Sequence, residues 1–169
     1  AGGFMGVTET IRQLTDQVVT TAIRAARSWV DQGYDLGVAV NLSTLDLLDE
    51  LLAERVAHRL DEYGLAPERL TLEITESSLM WDTPRTATTI ARLHERGVKL
   101  SLDDFGTGYS SLSYLRRIPV TELKIDRSFV TNLLLDLQDE VIVRSTIDLG
   151  HNLGLRVVAE GIESNPVME

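Results

Sequence analysis

The sequence predicts an α/β fold in which strands and helices alternate around a parallel, barrel-like sheet. Two observations carry that expectation. Strand-like and helix-like segments alternate five times, and no two-residue Asn-Gly or Gly-Gly turn joins any pair of strands, the pattern of repeated βα units. Each strand-like segment also has one apolar face and a polar or charged residue near its C-terminal end. A sheet covered by helices on both sides needs apolar residues on both faces, whereas a barrel gathers its strand ends on one functional face.

The elements follow in order. Ile11, Leu14, Val18, Ala22, Ala25, Ala26 and Trp29 recur at helical spacing, which predicts a helix over 11–31 closed by Gly33. Residues 36–43 read as a strand. Residues 44–63 read as a second helix, ended by Gly64 and followed by Pro67. Residues 70–75 form a strand, 84–96 a helix stopped by Gly97, and 98–103 a strand. A short helix is expected over 109–117, before Pro119. A strand over 122–126, a helix over 137–153 with Gly154 behind it, and a strand over 156–160 complete the series. There is no repeat, low-complexity tract or linker, so the chain reads as a single domain over 1–169.

Composition narrows the class. Of 169 residues, 43% are apolar and 25% charged, as in soluble globular proteins. No run of residues has the length and apolarity of a membrane span, and Ala1 to Glu9 lacks the basic start and apolar core of a secretory signal. A cytoplasmic location is expected, with tethering of a larger parent protein to a membrane left open. Cysteine is absent, which excludes disulfides, thiolate metal sites and thiol nucleophiles. The formal net charge of −10 offers no basic face for duplex nucleic acid.

Alternation sorts the strand residues into faces. Val38, Val40 and Leu42 oppose Ala39, Asn41 and Ser43; Leu70, Leu72 and Ile74 oppose Thr71, Glu73 and Thr75. Val98, Leu100 and Leu102 oppose Lys99, Ser101 and Asp103, and Leu123 and Ile125 oppose Lys124 and Asp126; Val158 and Glu160 share a face. Asn41, Glu73, Asp103, Lys124 and Glu160 therefore stand at successive strand ends. One acidic residue at such an end is ordinarily a solvated loop residue. On neighbouring strands these carboxylates, with Asp104, would repel one another and take up protons unless cations lay between them. Their hard oxygens suit Mg²⁺, Mn²⁺ or Ca²⁺ better than zinc. His58, His94 and His151 all fall in predicted helices and read as helix-surface residues. The pair Asp103-Asp104 precedes a glycine-rich turn, Phe105-Gly106-Thr107-Gly108, and adjacent strand residues reach one site only where a strand is ending. Lys124 suits either orientation of a water molecule or an ion pair with a neighbouring carboxylate.

Five segments in this order resemble the central motifs of the EAL-domain family of cyclic di-GMP phosphodiesterases: Val38-Ala39-Val40-Asn41-Leu42-Ser43, Leu72-Glu73-Ile74-Thr75-Glu76-Ser77, the segment from Asp103 to Leu112, the segment from Leu123 to Val130, and Val158-Ala159-Glu160-Gly161-Ile162-Glu163. The resemblance runs from about Phe4 to Pro166. It implies a modified TIM-like (β/α)8 barrel, incomplete at both ends in this chain: the family's first-strand Glu-Ala-Leu and last-strand Gln-Gly have no counterpart here. It implies metal-dependent hydrolysis of cyclic di-GMP to linear pGpG. Asn41, Glu73, Asp103, Asp104 and Glu160 would be ligands of two divalent ions, Mg²⁺ or Mn²⁺, with Ca²⁺ inhibitory. Lys124 and Glu160 are the catalytic candidates, Lys124 holding the attacking water. Asp126 and Glu163 would stand close by, and Glu76 would belong to a loop linking the site to a dimer interface. A homodimer, and sensor or GGDEF-type domains in the parent protein, are the partners implied besides cyclic di-GMP. The alternative is a catalytically inactive domain acting as a cyclic di-GMP receptor or a protein-interaction module.

Overall fold

The computed structural model describes residues 2–80, 83–108, 115–133 and 135–162. Five strands, β1 (Val38–Leu42), β2 (Leu70–Thr75), β3 (Lys99–Phe105), β4 (Glu122–Ile125) and β5 (Arg156–Ala159), succeed one another in the sheet in chain order. The chain forms two compact units, residues 1–74 with 78–100, and residues 75–77 with 101–169.

In the first unit, α1 (Gly2–Asp31) buries Thr15, Val19, Ile23 and Ala26, a stripe at intervals of three and four residues, against β1, α2 (Thr44–Leu47) and α3 (Leu52–Tyr63). Strands β1 and β2 pair in parallel, with Val38 opposite Leu70 and Asn41 opposite Glu73. Leu70, Leu72 and Ile74 are fully buried, while Thr71, Glu73 and Thr75 are half-buried. The period-two reading of this strand therefore holds. Helix α4 (Thr83–Glu95) places Ile90 and Leu93 in the same core. Arg55 ties the helices electrostatically: its Nε lies 2.8 Å from Asp16 and its Nη1 2.6 Å from Asp49, which also pairs with Arg12 at 2.8 Å.

In the second unit, β3, β4 and β5 pair in parallel. All four residues of β4 are buried. Glu122 is one of them, and it is neutralised there by Arg156 and by the hydroxyl of Ser101 at 2.8 Å. After β4 comes a helix of five residues, α5 (Arg127–Thr131), and then α6 (Leu137–Asn152). Among the described residues no helix is long and apolar enough to cross a membrane.

Three differences from the sequence reading have local causes. Helix α1 starts nine residues before Ile11, helped by Glu9, which accepts hydrogen bonds from Arg12 and Gln13 one turn on. The expected helix over 44–63 is broken. Ser43 and Asp46 form a capping box for α2, and the Asp49 carboxylate takes the Leu51 amide at 3.1 Å, turning the backbone before α3 begins. Helix α5 was not expected, because five residues carry too little periodicity; the Asp126 carboxylate caps it by accepting the Ser128 amide at 3.0 Å. The helix expected over 109–117 lies mostly outside the described residues.

Candidate active site

Of the strand-end residues, Asn41 and Glu73 belong to the first unit, where the β1–β2 register sets them directly opposite each other. Asn41 is exposed and Glu73 half-buried. Asn41 also borders an open groove of about 630 Å³, whose other wall is Leu14, Val18 and Ala22 of α1.

The second unit holds the sharper geometry. Leu102 pairs with Leu123 and Phe105 with Ile125, so three steps along β3 match two along β4. The additional residue is a β-bulge, and both Asp103 and Asp104 stand where one residue would face Lys124. Asp104 has φ +56, the positive value found at no other described non-glycine residue. A bulge re-aims side chains that a regular strand would send to opposite faces. Both carboxylates thus reach one locality within the strand, where the sequence reading required the strand to end.

Lys124 Nζ lies 2.6 Å from Glu160 Oε1 and 3.2 Å from Asp103 Oδ1. The lysine and Asp103 are nearly buried, and Glu160 is the exposed member of the trio. The Glu160 amide donates to the Ile125 carbonyl at 3.2 Å, which fixes the start of the turn after β5 beside the end of β4. Asp126, the cap of α5, stands close enough to Asp104 for its negative charge to act on that carboxyl.

Glu76 is buried, at 2% exposure, under the glycine-rich turn. Its amide donates to the Asp103 carbonyl at 3.1 Å. Its Oε2 accepts the amides of Gly106 at 3.0 Å and Gly108 at 3.2 Å. A side chain at Gly108 would meet the Glu76 carboxylate at 3.1 Å. The turn is therefore laid over this carboxylate, a role for Glu76 that its position outside any strand does not advertise.

The charge balance is unfavourable for Asp104. Burial, and then the negative charges of Asp103, Asp126 and Glu160, hold its carboxyl above the usual range. Asp126 goes the other way. The Ser128 hydroxyl stabilises its anion most, burial opposes that, and the amides of Ser128 and Arg127 add to it, so its pKa is lowered. A locality in which, among the described residues, Asp103, Asp104, Asp126 and Glu160 outnumber the one lysine, Lys124, suits a divalent cation with hard oxygen ligands. Among the described residues no three carboxylate or imidazole groups converge on one ligating point, and the fit rests on charge and donor chemistry. Each of the three histidines is exposed on a helix, as expected. Glu163 lies outside the described residues. The sequence reading also passed over Arg127 and Phe129, which pack on the turns that follow Glu160 and Asp104; the one signal was their place directly after Lys124-Ile125-Asp126.

Residues 3–169 match the model of the EAL domain. The chain is 43% identical over 160 residues to the bifunctional diguanylate cyclase/cyclic di-GMP phosphodiesterase MucR of Pseudomonas aeruginosa, covering 94% of the chain and 23% of that protein. It is 44% identical over 165 residues to the cyclic di-GMP phosphodiesterase NbdA of the same organism, covering 95% and 21%. The chain thus spans between a fifth and a quarter of the length of these curated relatives. Among solved structures it is similar to the PaMucR phosphodiesterase in complex with c-di-GMP, with a TM-score of 0.89 at 42% identity over 98% of this chain and 69% of that one. It is likewise similar to the EAL domain of Mycobacterium smegmatis DcpA, with a TM-score of 0.85 at 40% identity over 93% and 71%. These likenesses bear out the α/β, TIM-like barrel class, and the chain belongs to the EAL domain family.

Proposed function

We propose that this chain carries metal-dependent hydrolysis of cyclic di-GMP to linear pGpG, as part of a phosphodiesterase. The observation that carries the reading is the β3 irregularity, which puts Asp103 and Asp104 opposite the end of β4, with Lys124 between Asp103 and Glu160. Relatives named as cyclic di-GMP phosphodiesterases, and a relative solved with c-di-GMP, support the substrate.

The reading assigns Asn41, Glu73, Asp103, Asp104 and Glu160 to two Mg²⁺ or Mn²⁺ ions. When bound, such ions neutralise the phosphodiester and acidify water. The chain's own part is to place groups. Lys124, held between Asp103 and Glu160 as an ammonium, orients the attacking water, whose proton passes to the Glu160 carboxylate. Attack at phosphorus breaks one P–O3′ bond and opens the ring; the departing O3′ takes up a proton from solvent and leaves as a hydroxyl, giving pGpG. Asp126, which caps α5 by accepting the Ser128 amide, stands beside Asp104 as a further acidic group of the site. The buried Glu76 sets the turn that follows. A homodimer and neighbouring sensor or GGDEF-type domains belong to the same reading; one relative is itself bifunctional.

The test is Asp103→Asn in the full-length protein, which keeps shape and removes charge. Turnover of cyclic di-GMP should fall at least about 100-fold, a loss of roughly 2.7 kcal/mol in transition-state stabilisation, with circular dichroism unchanged. Near-normal turnover overturns the reading. A wild-type protein that binds cyclic di-GMP and never hydrolyses it, with Mg²⁺ or Mn²⁺ present, is a receptor instead.

A further inference from the structure

Helix α5 is too short to stand by itself, yet it touches both turns that carry the acidic residues of the second unit. Its cap, Asp126, stands close enough to Asp104 for its charge to act on that carboxyl. Its Val130 is buried at 1% exposure and anchors it to the core. Two further contacts are made through glycines. Gly106, two residues after Asp104, has φ +100, and a Cβ there would come 3.0 Å from Phe129 Cε2 and 3.5 Å from Cζ. Gly161, the residue after Glu160, has φ +73, and a Cβ there would come 2.8 Å from Arg127 Cγ and 3.1 Å from its Cβ and Cδ. The Phe129 ring and the Arg127 stem lie against bare backbone at the two places where the chain leaves the acidic cluster.

We propose that Phe129 and Arg127 are positioning residues, and that α5 is the template against which the turns after Asp104 and Glu160 are set. The inference rests on the phosphodiesterase reading and deepens it. Carboxylates that bind a metal must be held to within about 0.5 Å, by neighbours that are themselves locked. The glycine-rich turn is held on one side by hydrogen bonds to Glu76. The Phe129 ring against the Gly106 Cα supplies the packing contact. Arg127 acts through its methylenes: the residue is exposed, and among the described residues its guanidinium makes no ion pair. Long charged side chains cover apolar or backbone surface in this way while the head stays in water.

The two mechanisms for Arg127, stem or charge, are separated by substitution. In the full-length protein, Phe129→Ala and Arg127→Ala should weaken the binding of Mn²⁺ alone, measured by calorimetry, by about 10–100-fold, the usual cost of removing a contact behind a metal ligand. The Mn²⁺ concentration for half-maximal turnover should rise by the same factor, while KM for cyclic di-GMP at saturating Mn²⁺ stays unchanged. Phe129→Leu and Arg127→Met keep the packing and should stay within about threefold of wild type. Thermal unfolding of each variant separates a misplaced turn from an unfolded one; if Phe129→Ala does not fold, Phe129→Leu and the Arg127 pair decide. Wild-type Mn²⁺ affinity in both alanine variants overturns the inference alone. So does an Arg127→Met protein with a raised KM, which would make the guanidinium a substrate contact. A wild-type protein that neither binds Mn²⁺ nor hydrolyses cyclic di-GMP overturns the phosphodiesterase reading and this inference with it.

Discussion

Lys124 Nζ stands 2.6 Å from Glu160 Oε1, and the pair joins the end of β4 to the residue just past β5. The same ammonium is 3.2 Å from Asp103 Oδ1. A lysine between two carboxylates serves either as a structural counter-ion or as a handler of water, and the two roles separate on substitution. Lys124→Met should abolish turnover of cyclic di-GMP in the full-length protein while calorimetry still detects Mn²⁺ binding, because the methionine removes the group that orients the water and leaves the carboxylates. Turnover within tenfold of wild type at saturating Mn²⁺ would make Lys124 a counter-ion only.

Glu76 supplies the only carboxylate oxygen that both Gly106 and Gly108 reach among the described residues. Glu76→Ala strips two part-buried amides of their charged acceptor, each such hydrogen bond contributing about 1.5–3 kcal/mol at most. Turnover should fall about 10–100-fold, and protection of the Gly106 and Gly108 amides from hydrogen exchange should fall with it. Unchanged exchange at both amides would show that Glu76 does not hold the turn.

The Arg55 cluster should make the first unit acid-sensitive. Burial raises the pKa of Asp49, but hydrogen bonds from the Arg55 side chain and the Leu51 amide, with the charges of Arg55 and Arg12, outweigh it and hold the carboxyl below its usual range. A carboxyl lowered on folding stabilises the fold at pH above its unfolded pKa. That contribution is lost as pH falls through the folded value. The drop in Tm between pH 6 and pH 3 should therefore be smaller in Asp49→Asn than in wild type. Arg55→Met, which takes the Arg55 partner from Asp16 and leaves Asp49 with Arg12, should lower stability at neutral pH by about 1–3 kcal/mol, read from urea unfolding. Equal acid slopes in wild type and Asp49→Asn would remove Asp49 from the account.

Gly150 of α6 is buried against the Val157 methyl of β5, closer than any Cβ would tolerate. Alanine is the better helix former by about 1 kcal/mol, while forcing a methyl into a filled core costs about 1–3 kcal/mol. The clash should win: Gly150→Ala lowers Tm, and adding Val157→Ala recovers part of the loss. A Gly150→Ala protein with raised Tm would show that β5 yields easily to α6.

The sequence by itself determined the order of the five strands and of the longer helices and the buried faces of β1 and β2, because these follow from local spacing. Leu70, Leu72 and Ile74 alternate with Thr71, Glu73 and Thr75 and pack accordingly. It also named the polar strand ends and the Asp103-Asp104 turn. Only the tertiary structure decided how those residues meet. The β3 bulge comes from the register between β3 and β4, which no residue within β3 reveals. The break between α2 and α3 depends on Asp49, whose carboxylate the fold also sets between Arg55 and Arg12. Helix α5 is too short to show a period, so its packing on Gly106 and Gly161 waits for chain segments some twenty and thirty residues away to arrive. Local spacing writes elements and faces; the contacts that aim carboxylates at one another are long-range, and they exist only once the strands have paired.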